Sequence, residues 1–354
     1  MTLIYFLVLL SVIIVIHEAG HLLAAKSFNV YCYEFSFGMG PLLWKKKTEE
    51  TQYSIRAIPI GGYVAMAGEQ DGDEAYPDVH VPEGRRITDV ATWKKIIIMI
   101  AGVCMNFLLA WILFSMIILS NGAFASSPKA IISEIVSGSP AEKAGFAVGD
   151  VIKKVTKEDG SSVKPDTFLD MQVFSSGYDG VEVYEIERDG ERYEISVQPE
   201  YDEESDSYLI GIVGNESTYA EVNFLNCWYY GGVEMKEITK LMLTTIRGLI
   251  FHGSGLQNMS GPVGIYQATE TYAALGLKSF LFLMAQISLN IGIFNLLPLP
   301  VLDGGQIVFA LAEGITGKAL NEKVKYYIMI ACWVLLIGLM LFVTWNDITK
   351  LILK

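Results

Sequence analysis

The segment VIIVIHEAGHLLAAK, residues 12–26, places two histidines and a glutamate inside an apolar run near the start of the chain. Ionisable side chains are costly in lipid, so those found in apolar segments of membrane length usually have a function. Residues i and i+4 lie on one face of an α-helix, which lets His17 and His21 present their imidazoles to one metal ion beside Glu18. The HExxH pattern therefore predicts a metal site; the alternative is a pair of hydrogen-bonded, buried histidines.

The composition indicates a membrane protein. Of the 354 residues 52% are hydrophobic, and the mean hydropathy is +0.38, which is high for a soluble protein. Stretches close to the roughly 20 residues that cross a bilayer predict four transmembrane helices, at residues 2–25, 96–120, 279–301 and 326–345. The first stretch has no basic segment before it and is long for a secretory signal, so we expect it to remain in the protein.

The charge is concentrated in one part of the chain. Residues 122–226 contain 21 acidic and 8 basic residues, a difference equal to the net charge of the whole chain, −13. This block predicts a solvated domain, and it offers no basic surface for nucleic acid. The four cysteines are scattered without a CxxC pair, which argues against a disulfide framework or a thiolate zinc site.

Lysines and arginines in the short loops predict the orientation. They occur close to the predicted spans in the loops at 27–95 and 302–325, so both loops are expected in the cytoplasm. Four spans then place the acidic domain and both termini on the outer side of the membrane.

A catalytic zinc site normally has three protein ligands, so two histidines require a partner from elsewhere in the chain. The stretch NLLPLPVLDGGQ, residues 295–306, supplies Asp303 at the inner end of the third predicted span, at the depth expected for His17 and His21. The alternative is a turn residue before Gly304 and Gly305.

The same stretch contains two prolines and an asparagine. Pro298 and Pro300 interrupt the helical hydrogen bonds, and irregular backbone at membrane depth is tolerated where it lines a cavity or is buried in protein. Asn295 can donate to a substrate carbonyl or to a developing oxyanion. A hydrogen bond between helices is the alternative for Asn295, and the favoured interpretation for Asn106 and Asn290.

The pairing of HEAGH in the first span with NLLPLPVLDGG resembles the site-2 protease family of intramembrane zinc metalloproteases, of the RseP type with a single PDZ domain. The likeness covers most of the chain, including SFGMGP (36–41), IPIGGYVAMAGE (58–69), AGVCMNF (101–107) and SGPVGI (260–265). It implies one zinc ion per chain, held by His17, His21 and Asp303, with Glu18 as general base and Asn295 positioning the substrate. Val103 departs from the proline of many relatives.

Residues 51–66, TQYSIRAIPIGGYVAM, predict a strand, a turn at Gly61-Gly62 and a second strand. An edge strand can hold an unwound substrate by β-addition, as the resemblance implies for membrane-associated β-loops. We expect Arg56, Ile58, Gly61 and Gly62 to contact the substrate. A small cytoplasmic hairpin without a substrate role is the alternative.

The acidic block contains SGSPAEKAGFAVGDVIKKV (137–155), which resembles the PDZ module of processing proteases, and Asp189-Gly190 predicts a two-residue hairpin turn. Such a module could contact the substrate ectodomain or a peptide C-terminus, or exclude intact ectodomains by size; an inert β-rich domain is the alternative. Residues 228–251 have the apolar spacing of an amphipathic helix at the outer interface.

The predicted fold is a multi-pass α-helical membrane protein with four transmembrane helices, a membrane-associated β-hairpin and an inserted β-rich PDZ-like domain. The predicted segments are transmembrane helix 1 with HExxH (1–27), a cytoplasmic loop with the β-hairpin (28–95), transmembrane helix 2 (96–120), the extracytoplasmic PDZ-like domain (121–226), an amphipathic interfacial helix and Gly-rich loop (227–278), transmembrane helix 3 with LDG (279–303), a cytoplasmic loop (304–325), transmembrane helix 4 (326–345) and a C-terminal tail (346–354).

The expected function is hydrolysis of peptide bonds within transmembrane segments of pre-trimmed single-span proteins, such as an anti-sigma factor or a remnant signal peptide. The expected location is the bacterial cytoplasmic membrane, with the lipid bilayer and a membrane-embedded protein substrate as partners and no nucleic acid. A metal-ion transporter is one alternative, although neither metal motif recurs in the other half of the chain. A PDZ scaffold without catalysis is another, although it would need no glutamate between the histidines.

Overall fold

The computed structural model describes residues 1–126, 129–202, 207–214, 219–252, 261–317 and 320–352. The chain divides into two compact units. We call the first the helical unit (Met1–Ile117, Gly231–Met235 and Ser260–Lys354) and the second the β-rich unit (Ile118–Tyr230 and Lys236–Met259).

Helices and strands alternate in blocks along the chain. The described helices are α1 (Thr2–Ser27), α2 (Gln70–Ala75), α3 (Thr92–Asn121), α4 (Pro140–Ala144), α5 (Phe168–Ser175), α6 (Cys227–His252), α7 (Pro262–Ala274), α8 (Leu277–Asn295), α9 (Asp303–Thr316) and α10 (Glu322–Ile352). The described strands are β1 (Cys32–Lys47), β2 (Gln52–Met66), β3 (Ala123–Ala125), β4 (Ile132–Ile135), β5 (Val151–Lys157), β6 (Ser162–Val163), β7 (Glu182–Arg188), β8 (Glu191–Val197), β9 (Glu200–Asp202), β10 (Ser207–Leu209), β11 (Ile212–Gly214) and β12 (Tyr219–Glu221).

Four of the described helices, α1, α3, α8 and α10, have the length and the apolar composition needed to cross a membrane. The protein is therefore a helical membrane protein that also contains β-sheet, in agreement with its composition. Helix α1 ends where Asn29 adopts a left-handed conformation with φ of 61°, which asparagine tolerates better than most residues.

The third predicted span was too long. Helix α8 ends at Asn295, and Asp303 is the first residue of a separate helix, α9, which lies in the segment predicted as a loop (304–325). Proline has no backbone N–H, so Pro298 and Pro300 cannot continue the hydrogen bonds of α8.

Two further segments are more helical than predicted. Helix α10 continues to Ile352, so most of the predicted C-terminal tail is helix. Helix α7, with Pro262 in its first turn, occupies part of the segment predicted as interfacial helix and Gly-rich loop, and proline is well suited to that position. The Gly-rich stretch at 253–260 lies outside the described residues.

The predicted turn at Gly61-Gly62 is wrong. Strand β2 runs continuously through both glycines, and the hairpin turn lies between β1 and β2 at residues 48–51. Gly61, with φ of 85°, lies between Ile58 and Gly62, where the pairing of β2 with β1 changes register. Both strands bend, so that Phe35 pairs with Tyr53 and also with Val64.

Apolar side chains hold the helical unit together, and two of their clusters connect α1 to its neighbours. One joins α1 to α8, and the other joins the end of α1 to the sheet and the start of α3, which brings β2 alongside α1. The buried members of the first cluster are Leu9, Ile13, Phe280, Leu283, Met284 and Ile287, and those of the second include Leu22, Ala25, Val30, Val64, Met66 and Ile98.

The β-rich unit contains a four-stranded antiparallel sheet of order β6-β5-β7-β8. The predicted hairpin turn at Asp189-Gly190 joins β7 to β8, and both residues have the positive φ of a type I′ turn. Helix α5 begins with a capping box between Thr167 and Asp170, and its first turn packs into the core with Phe168. The identity of this unit as a PDZ domain stays a prediction.

Candidate metal centre

Three potential metal ligands converge in the helical unit. Nε2 of His17 lies 3.0 Å from Nε2 of His21 and 3.1 Å from Oδ2 of Asp303, and the latter two atoms are 3.5 Å apart. The two histidines are each 7% exposed. Among the described residues, His17, His21 and Asp303 form a group whose ligand atoms could hold one metal ion.

These distances fit a zinc ion. Ligands 2.0–2.1 Å from a tetrahedral centre are separated from one another by about 3.3 Å, close to the three separations observed between the ligand atoms. Oδ2 of Asp303 is buried and has no hydrogen-bond donor among the described residues, as expected for an oxygen reserved for a cation. Two imidazoles and one carboxylate also leave a fourth position for water or substrate.

Small residues bring α1 and α3 together at this point. A Cβ at Gly20 would collide with the Ala101 carbonyl oxygen. A Cβ at Gly102 would lie 2.5 Å from Nε2 of His21 and 2.8 Å from Cε1 of His17. The two glycines therefore let the backbone of α3 approach the imidazole rings, as small residues do at helix crossings in membranes.

Helix α3 also contacts the outer nitrogen of each histidine. Nδ1 of His21 lies 2.8 Å from the Ile98 carbonyl oxygen, which can only accept, so Nδ1 donates this hydrogen bond. Nδ1 of His17 lies 3.3 Å from Nδ2 of the Asn106 side-chain amide. The sequence predicts a hydrogen bond between helices for Asn106, and the Ser288 hydroxyl donates to the Asn106 backbone carbonyl at 2.9 Å. The contact of the Asn106 side chain with His17 was not predicted. The sequence feature that could have indicated it is the presence of a polar residue within a membrane span.

A compact turn presents Asp303. The Leu302 N–H donates to the Leu299 carbonyl at 2.9 Å, and the Gln306 side chain donates to the Pro300 carbonyl at 2.9 Å. Gly304 and Gly305 have no room for a Cβ, because the carbonyl groups of this turn pack directly against them. The LDGG sequence thus allows the proline-containing turn to fold back on α9 and hold Asp303 at the helix start.

Glu18 stands between the metal ligands and β2. It is half-buried, it interacts electrostatically with both histidines and Asp303, and its carboxylate accepts a hydrogen bond from the Val64 N–H. Further along α1, the Ser11 hydroxyl donates to the Pro59 carbonyl at 2.6 Å. Strand β2 therefore follows the face of α1 that carries the glutamate.

Arg56 is held by a buried carboxylate of β1. Its guanidinium donates to both oxygens of Glu34 at 2.9 and 3.0 Å and to the Gly40 carbonyl at 2.9 Å. Burial raises the pKa of Glu34, but hydrogen bonds from Ser54, Tyr76, Tyr63 and Arg56 outweigh burial and lower this pKa to about 2. Arg56 therefore organises the sheet, and its contact with substrate stays a prediction.

The remaining predicted residues lie on β2 and at the end of α8. Ile58 pairs with Met39 and is 49% exposed. Gly62 pairs with Phe37, and a Cβ there would lie 2.5 Å from the Ser36 carbonyl oxygen. Asn295, the half-buried last residue of α8, makes no hydrogen bond to the three ligand residues within the described ranges.

Comparisons with known proteins match nearly the whole chain. The model of Peptidase family M50 matches residues 5–339. The zinc metalloprotease RasP of Shouchella clausii is 32% identical, and the regulator of sigma-W protease RasP of Bacillus subtilis is 29% identical, each over 99% of both chains. The zinc metalloprotease RasP of Oceanobacillus iheyensis is 29% identical over 99% of this chain and all of the relative. This chain belongs to Peptidase family M50.

Proposed function

We propose that this zinc metalloprotease hydrolyses peptide bonds within the transmembrane segments of single-span proteins whose soluble domains have already been trimmed. The observation that carries the proposal is the group of His17, His21 and Asp303, in which both histidines are buried, within the unit that contains the apolar helices. A metal centre in a unit of this kind serves a substrate that also resides in the membrane.

The residues of the centre have distinct roles in this proposal. His17, His21 and Asp303 hold the zinc ion, which when bound supplies a Lewis acid that acidifies water and polarises a carbonyl group. Glu18 accepts the proton released as water attacks the scissile carbonyl and passes a proton to the amine that leaves. The Val64 N–H keeps the Glu18 carboxylate turned toward the centre.

The substrate must be unwound before it is cut, because a helix hides its peptide carbonyls in its own hydrogen bonds. We propose that an extended substrate segment pairs with the sheet near Ile58, Gly61 and Gly62, and that Asn295 donates to a substrate carbonyl. The course of β2 along α1, from the Ser11 contact to the Glu18 contact, supports this arrangement. Arg56 contributes by bracing the bend in the sheet.

We place the protein in the bacterial cytoplasmic membrane, with the β-rich unit as an extracytoplasmic PDZ-like module that keeps intact ectodomains away or binds a peptide terminus. One relative is named as a regulator of sigma-W protease, which supports a membrane-anchored anti-sigma factor as one substrate. A remnant signal peptide has the same single-span form and is a second substrate class.

Cleavage of a single-span model protein in liposomes tests the proposal. The wild type should cut the trimmed substrate within its transmembrane segment, as located by mass spectrometry of the products. Glu18→Gln should lower the rate by at least about 100-fold, because it removes the general base, while retaining its zinc. Glu313→Gln on α9 is a matched control and should cleave normally. Cleavage confined to soluble segments, or an active Glu18→Gln variant, would refute the proposed function.

A further inference from the structure

We propose that Asn106 positions His17 for metal binding by accepting a hydrogen bond from its Nδ1–H through the side-chain carbonyl oxygen. The inference rests on the zinc site of the proposed function and assigns a role to a residue outside the ligand set.

His21 shows what such a contact achieves. Its Nδ1 lies 2.8 Å from the Ile98 carbonyl oxygen, so the ring proton resides on Nδ1 and the lone pair of Nε2 faces Asp303. In a neutral imidazole one nitrogen carries the proton and the other accepts, so a carbonyl at one side determines which nitrogen can bind a metal. Metal-binding histidines usually donate their other N–H to a carbonyl or carboxylate in this way.

His17 needs the same arrangement. Its Nε2 points to Nε2 of His21 and Oδ2 of Asp303, so zinc binding through Nε2 requires the proton on Nδ1 and an acceptor beside it. The amide of Asn106 occupies that position, with its Nδ2 atom 3.3 Å from Nδ1 of His17. Asn106 is fully buried, and its Oδ1 atom has no hydrogen-bond partner among the described residues.

Turning the Asn106 amide by 180° about its Cβ–Cγ bond exchanges Oδ1 and Nδ2. This gives Nδ1–H of His17 an acceptor and gives Oδ1 of Asn106 a partner. The oxygen and nitrogen of an asparagine amide have nearly the same size and occupy equivalent places about the side-chain axis. With Oδ1 toward the ring, the otherwise unpaired oxygen accepts from Nδ1–H of His17. Each histidine then donates to a carbonyl oxygen supplied by α3.

The spacing on α3 suits this role. Ile98, Gly102 and Asn106 are four residues apart and therefore share one face of the helix. Gly102 leaves the space that both rings occupy, and the Ser288 hydroxyl anchors the Asn106 backbone carbonyl to α8. A single helix face thus orients both histidines, through one backbone and one side-chain oxygen.

Zinc affinity of the purified full-length protein, measured by competition with a chelator, tests the inference. Asn106→Leu removes the acceptor and should weaken zinc binding by about 10–100-fold, the usual effect of losing a residue that orients a metal ligand. Asn106→Asp retains only acceptor oxygens and should bind zinc within about threefold of the wild type, because a carboxylate orients imidazole equally well. Asn106→Ala also removes the acceptor but introduces a smaller side chain than leucine, and it should weaken zinc binding in the same way.

Two further measurements separate positioning from packing. Ser115→Ala, which removes a buried polar group elsewhere on α3, should leave zinc affinity unchanged. With Co²⁺ in place of zinc, the visible absorption bands of Asn106→Asp should match those of the wild type, whereas those of Asn106→Leu or Asn106→Ala should shift.

The inference is overturned if a folded Asn106→Leu or Asn106→Ala variant keeps wild-type zinc affinity and Co²⁺ bands. It is equally overturned if Asn106→Asp loses as much affinity as leucine, since the amide then acts as a donor. A different result would refute the proposed function: a wild-type protein that binds zinc tightly but cuts no membrane-embedded substrate.

Discussion

Nε2 of His17 lies 3.1 Å from Oδ2 of Asp303, although the two residues come from opposite ends of the chain. The contact exists because α1 packs against α8 through Leu9, Ile13 and Met284, and the turn after α8 returns Asp303 to the level of the histidines. The integrity of the metal centre is therefore also a measure of the packing of the helical unit.

Replacing Asp303 by asparagine removes the anionic ligand while keeping the shape of the side chain. We expect zinc affinity to fall by more than about 100-fold, beyond the effect of losing a residue that merely orients a ligand. Metal analysis of the purified protein after chelator treatment measures the loss. Glu313→Gln, the same chemical change on the same helix, should retain its zinc. Full zinc content in Asp303→Asn would remove this residue from the ligand set.

Gly102→Ala adds one methyl group where the two imidazoles lie. Because the new Cβ would fall 2.5 Å from Nε2 of His21, either a ring or the backbone of α3 must move. We expect zinc affinity and cleavage to fall together by at least about 10-fold, as for other disturbances around metal ligands. Gly338→Ala on α10, where no atom lies within 4 Å of the added carbon, should be neutral. Equal zinc retention by both variants would contradict the close approach of α3.

Ser11→Ala removes the hydroxyl that ties α1 to the Pro59 carbonyl of β2. A hydrogen bond of this kind contributes about 1 kcal/mol, so a less firmly held strand should lower kcat/KM by about fivefold while zinc content stays unchanged. Steady-state kinetics with a trimmed substrate measure the effect. Ser27→Ala is the control, because that hydroxyl donates to the Ala24 carbonyl within α1 itself. If both variants behave alike, the tie between α1 and β2 has no role in turnover.

The carboxylate of Glu34 should make the sheet sensitive to acid. Its pKa falls from an ordinary value of 4.5 to about 2, so it stabilises the folded state above pH 4.5, and the contribution is lost as the pH falls toward 2. At 1.36 kcal/mol per pKa unit the contribution reaches at most about 3 kcal/mol.

Thermal unfolding of the detergent-solubilised protein tests this sensitivity. Glu34→Gln should unfold at a lower temperature than the wild type at pH 7, and the gap should narrow between pH 4.5 and pH 3. Glu83→Gln, which alters an exposed carboxylate in the same unit, should follow the wild type throughout. A gap independent of pH would mean that the Glu34 charge does not stabilise the sheet.

Local patterns in the sequence predicted much of the fold. Long apolar runs predicted the helices that became α1, α3 and α10, and Asp189-Gly190 predicted a hairpin, because each signal depends on neighbouring residues alone. The class of enzyme predicted from the HEAGH and LDGG motifs is confirmed by the family match and by the relatives.

Predictions failed where distant segments decide the structure. Gly61-Gly62 has the local signature of a turn, yet pairing of the flanking residues with β1 keeps β2 continuous. The prolines after Asn295 signalled a break, but whether Asp303 ended one helix or began another depended on the fit of the turn against Gly304 and Gly305.

By itself the sequence determined that His17 and His21 share a helix face beside Glu18, because the period of the α-helix sets that geometry. It also determined that the chain belongs in a membrane, because its apolar runs cannot remain in water. Only the tertiary structure decided that Asp303 meets the histidines, that Asn106 contacts His17 and that β2 lies against Glu18. Those relationships arise from packing between segments far apart in the chain, so a sequence motif can indicate one of them, as it did for Asp303, but cannot set the distances.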